Sequence, residues 1–136
     1  MYKQIGFVDL IKSIQSVVKK NTGLECYDHV DLNAKSPFYY AEAVGKRPSH
    51  SKTMYRDIFT VWIHCIAEES TSSVPVYNMI QELEEALTED IVLPYPYQLV
   101  MQTNTGVQTI KTDETGEKHA VVAFEFMICY GFRCKN

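Results

Sequence analysis

At 136 residues and 15.6 kDa the chain has the size of one domain. Hydrophobic residues at 46% and charged residues at 22% exclude a disordered tail, and 12% aromatics supply apolar surface for a core with some left for an interface. The net charge of −4 argues against nucleic acid as the main partner.

The N-terminus lacks the apolar run of a secretory signal, since Asp9, Lys12 and Ser13 interrupt it at helical intervals. No window approaches the roughly 18 apolar residues of a membrane span, so a cytoplasmic setting is expected. Cys26, Cys65, Cys129 and Cys134 form no C-x-x-C pair and read as free, mostly buried thiols.

The first element expected is an amphipathic helix from about Tyr2 to Lys20, with Phe7, Leu10, Ile11, Ile14, Val17 and Val18 on one face. Asn21-Thr22-Gly23 ends it, after Lys19 and Lys20 in the last turn. Leu24 to Ser36 reads as loop, and a strand starts at Pro37 and runs to Val44. Gly45 to Tyr55 reads as a polar loop. In the strand Arg56 to Ile66, Phe59, Val61, Ile63 and Cys65 alternate with Ile58, Thr60, Trp62 and His64. Bulk on both faces predicts a central strand covered on each side.

Ser73 and Pro75 open a second helix expected to reach Glu89, with Val76, Ile80, Leu83 and Leu87 inward and several glutamates outward. Leu93-Pro94-Tyr95-Pro96-Tyr97 breaks it. A strand from Gln98 to Thr103 then turns at Asn104-Thr105-Gly106 and returns as Val107 to Thr112. A polar turn at Asp113 to Glu117 leads to a long last strand, Lys118 to Phe132. The expectation is a single α+β domain over residues 1–136: a largely antiparallel sheet of about five strands with two helices on one face, in the order α-β-β-α-β-β-β.

Catalytic chemistry finds little support in these residues. No phosphate-cradling glycine motif or nucleophile elbow occurs, and the four histidines have no metal-ligand spacing. Cys26-Tyr27-Asp28-His29 places thiol, acid and imidazole together but reads as a turn held by Asp28. No catalytic, cofactor-binding or metal residue is assigned.

Charge is the informative feature. Lys46, Arg47, Lys52 and Arg56 are four positive charges with no acid between them, leaving −8 on the rest of a chain whose total is −4. A basic loop and an acidic second helix suit head-to-tail self-assembly, which closes into rings. The expected interface residues are Lys46, Arg47, Lys52 and Arg56 on the loop, with Glu82, Glu85 and Glu89 on the helix.

The order of elements resembles a family of phage proteins. The segment from Tyr27-Asp28-His29-Val30 to Ser36-Pro37-Phe38-Tyr39, the strand Phe59 to His64, the helix Val76 to Leu87 and the strand His119 to Arg133 carry the likeness. It is similar to the tail completion, or tail-to-head joining, proteins of long-tailed bacteriophages; tail terminators share that architecture. The resemblance implies a structural virion protein, not an enzyme, without cofactor. It implies a ring of about six copies at the head-proximal end of the tail tube, assembled in the host cytoplasm from a phage or prophage gene, with isolated copies able to stay monomeric until the template for the ring is present. Its partners would be itself, the tail tube protein and the head-neck connector or stopper, with DNA near the channel and no membrane. Two other readings are a peptide-binding module using a sheet edge near Tyr95 to Tyr97, and a small Cys/His enzyme.

Overall fold

The computed structural model describes residues 2–29, 34–112 and 116–133. Val30 to Asn33 of the phage-like segment, Asp113 to Thr115 of the second polar turn, and Cys134 lie outside the described residues.

Helix α1 (Phe7–Thr22) buries Leu10, Ile11, Ile14, Val17 and Val18, the stripe its 3.6-residue period sets. It starts after Gly6, later than expected, because residues 2–6 lie along the end of the sheet: Ile5 is buried, and Tyr2 Oη donates to the Phe132 carbonyl at 2.9 Å. It stops at Gly23, whose φ of 76° is left-handed and whose N–H bonds the Lys19 carbonyl.

Among the described residues five strands follow in two stretches of chain: β1 (Cys26–Tyr27), β2 (Phe38–Pro48) and β3 (Met54–Ile66) before helix α2 (Val74–Ala86), then β4 (Gln98–Thr112) and β5 (Lys118–Phe132). The α+β class, the five strands and the two helices stand as expected. The distribution of strands differs, with three before α2 and two after it. β1 arises in the supposed loop by pairing parallel with Tyr39 and Tyr40 of β2, which makes the sheet mixed. The expected turn at Asn104-Thr105-Gly106 is a bulge inside one continuous β4. Asn104 Oδ1 accepts the Gly106 N–H at 2.8 Å and Gly106 has a φ of 110°, as in a turn, but β5 is long enough to pair on both sides of it.

The strand order is β1-β2-β3-β5-β4, antiparallel apart from β1. Both helices cover one side of the sheet, meeting Tyr39, Phe59, Val61, Ile63, Val122, Phe124, Phe126 and Ile128 in a single core. Tyr39 is fully buried and its Oη donates to the Met79 carbonyl of α2 at 2.9 Å. β3 is central in order, but its other side carries no helix among the described residues. There Ile58, Thr60 and Trp62 are half-buried, so the expectation of cover on both sides holds for one side only.

α2 ends at Ala86, three residues short of the expected Glu89. Its last turn holds no basic residue to suit the helix dipole, and the Thr88 hydroxyl takes the Glu85 carbonyl at 2.6 Å. The side chain of Gln102 completes the exit. It donates to the Leu87 and Glu89 carbonyls and accepts the Ile91 N–H, which fixes the end of the helix on β4.

Candidate assembly surfaces

The expected basic loop is a paired hairpin. β2 runs through Gly45-Lys46-Arg47-Pro48, leaving 49–53 as the tip, where the Ser51 hydroxyl accepts the Thr53 and Met54 N–H groups. Strand alternation splits the four bases. Lys46 stands opposite Phe59, on the helix side of the sheet; its Nζ donates to Gln4 Oε1 at 3.0 Å and lies 5.8 Å from the Phe59 ring. Arg47 is on the open side and pairs with Glu125 at 3.0 Å. Arg56 Nε donates to the Ser49 carbonyl, and Lys52 is exposed at the tip. No single basic patch results.

Glu82, Glu85 and Glu89 do come together, around a groove beside Asn21 where α2 meets α1. Glu89 is held by Lys20 at 3.1 Å, and Glu85 accepts the Gln81 amide at 3.0 Å. These acids share no bond with the hairpin bases among the described residues.

The feature that segment-by-segment charge does not reveal is the sheet's edge. No charged residue occurs between Asp90 and Lys111, and β4 fills most of that run. Among the described residues β4 pairs only with β5, so its other edge has no strand partner along its 15 residues. Val100, Met101, Val107 and Ile110 are exposed along it. Edge strands of monomers are usually short, charged, bulged or interrupted by proline; this one is long, free of proline and uncharged up to Lys111, and its bulges are the main such device it carries. At the opposite edge β1 covers only Tyr39 and Tyr40, leaving Ala41 to Pro48 of β2 without a strand partner among the described residues.

The open side also assembles three residues distant in sequence. His64 Nε2 lies 2.9 Å from Glu42 Oε1, and His64 Nδ1 lies 2.8 Å from His119 Nε2. The Tyr40 ring stacks on His64 with centroids 4.0 Å apart. Both nitrogens of His64 are thus engaged, on opposite edges of its ring.

The catalytic alternative meets a physical obstacle. Cys26 is buried in β1, and burial pushes its thiol up to about 12, so the thiolate that a nucleophile needs is scarce. His29 bonds the neighbouring Asp28, and that bond holds the Asp28 carboxyl below its usual range. Asp57 is buried with one carboxylate oxygen unbonded, yet no group of three or more potential ligands gathers to hold a metal among the described residues. At the start of β4, Tyr95 is exposed while Tyr97 Oη bonds the Gln4 carbonyl, so the aromatic pair forms no common pocket wall.

A family model described as "Putative tail termination protein" matches residues 1–136. Among solved structures, a chain of the "Virion of native gene transfer agent (GTA) particle" shares the fold with a TM-score of 0.63 and 14% identity, over 90% of this chain and 92% of that one. No curated protein matches.

Proposed function

This chain belongs to the phage tail-termination family, and we propose that about six copies form a ring that caps the head-proximal end of the tail tube and joins it to the neck. The family match over the full length carries the reading. A role as a structural part of a phage tail follows from membership; the ring, its position and the joining step are the proposal. Two sheet edges that lack a strand partner among the described residues, β4 and the part of β2 beyond β1, support a contact that repeats from copy to copy, since each can receive a neighbour. The hairpin bases Lys46, Arg47, Lys52 and Arg56 and the helix acids Glu82, Glu85 and Glu89 belong to the contact surfaces in this reading. The tube protein and the neck connector take the two ring faces, and Lys52 at the exposed tip suits a position near the DNA passage.

Disruption of the gene in the phage or prophage that carries it tests the function. Electron microscopy is expected to show tails of unregulated length and heads without tails, restored by supplying the protein in trans. Tails of normal length joined to heads would sink the proposal.

A further inference from the structure

We infer that the outer edge of β4 pairs antiparallel with the outer edge of β2 of a second copy, and that this brings the second copy's Lys46 to Glu84, Glu85 and Asp90. The inference rests on the ring reading and specifies its joint.

Strand direction comes first. β2, β3, β5 and β4 are consecutive antiparallel neighbours, so β2 and β4 point in opposite directions at the two edges. Rotating a copy about an axis along the strands preserves those directions and keeps the helices on the same side. β4 of one copy then meets β2 of the next as an antiparallel pair, the arrangement every other long strand here already uses. Such a contact is heterologous and repeats until it closes.

Charge supplies the second argument. Gln102 and Asn104 stand opposite Phe126 and Phe124, on the helix side, and there they line a groove with Glu84, Glu85 and Asp90. Glu84 accepts only the neutral Asn104 amide and Glu85 the neutral Gln81 amide among the bonds of described residues. Lys46 is also on the helix side and is bonded to the neutral Gln4. Each edge therefore carries charge without an opposite charge bonded to it, of complementary sign and on the same side of the sheet. The β2 edge adds an apolar groove lined by Phe7, Val8, Ile11, Ala41 and Ala43, a counterpart for the exposed Val107 and Ile110 of β4.

Pairing of β4 with β4 of a second copy is the competing occupant. It sets acidic groove beside acidic groove and leaves Lys46 out, so the charges favour β2.

The test is zero-length carbodiimide coupling in an equal mixture of unlabelled and 15N-labelled protein, with sedimentation of the same samples. Coupled peptides joining Lys46 to Glu84, Glu85 or Asp90 with mixed labels are expected. Lys46→Glu and Glu85→Lys should each weaken association at least about tenfold while circular dichroism stays unchanged, and the double variant should recover it. Rings that form without these products overturn the edge pairing and leave the ring intact. Mixed-label coupling only between two β4 segments, around Lys111, assigns the edge to a two-fold dimer and overturns the proposal. A chain that stays monomeric and uncoupled across its soluble range overturns the joint as a contact the free protein makes, while the ring on the tail is judged separately by the gene disruption.

Discussion

Tyr39 Oη donates to the Met79 carbonyl across the core, joining the second residue of β2 to the middle of α2. The hydroxyl is the polar tip of a fully buried ring, so the bond satisfies a group that water cannot reach. Tyr39→Phe keeps the ring and removes the bond. It should lower unfolding free energy by about 1 kcal/mol. Chemical denaturation measures this, and an unchanged midpoint would show that the bond contributes nothing net.

Gly23 ends α1 with left-handed backbone and open space around its missing side chain. Gly23→Ala therefore tests the backbone alone, because a Cβ there meets no neighbouring atom within 4 Å. A loss of about 1 kcal/mol is expected, from the steric cost of a left-handed alanine. A stabilised variant would mean the helix can end in another conformation.

α1, β3 and β5 could be read from the sequence because their periods are local: the apolar stripe of α1 and the alternation in β3 and β5 need no knowledge of neighbours. The Asn104-Thr105-Gly106 bulge could not be read so, because its chemistry is that of a turn and only the length of β5 decides between them. β1 is two residues long and exists through its pairing with β2. Charge by segment placed Lys46 beside Arg47, yet strand alternation sends them to opposite sides of the sheet. The uncharged stretch between Asp90 and Lys111 was visible in the sequence; its meaning came from finding β4 at an edge. The phage-like order of elements led to the family before any geometry was known.

Buried acids set the alkaline limit of stability. Burial pushes the Cys26 thiol up to about 12 from an ordinary 9.0, and it raises Cys65 and Tyr39 as well. The folded state holds these protons more tightly than the unfolded chain. The stabilisation is complete below about pH 9, where unfolded thiols remain protonated, and falls as pH rises toward the folded values. Each group can contribute up to about 1.4 kcal/mol per pH unit over that window. Denaturant midpoints at pH 8, 9.5 and 10.5 should fall in that order, with Cys26 and Cys65 resisting thiol reagents at pH 8 until the chain unfolds. Fast labelling of either residue in the folded protein at pH 8 would contradict the burial.

The Glu42–His64–His119 chain fixes the tautomer of each ring. A hydrogen bond between two imidazoles needs one N–H and one lone pair. With the Glu42 carboxylate accepting from His64 Nε2–H, the neutral pair requires His64 Nδ1 to accept from His119 Nε2–H. The Tyr40 ring stacks on His64 in that orientation, with centroids 4.0 Å apart. Long-range 15N–1H spectra of the neutral rings are expected to show both histidines as Nε2–H tautomers. A mixture of tautomers at either ring would mean that the 2.8 Å contact between the rings does not hold in solution.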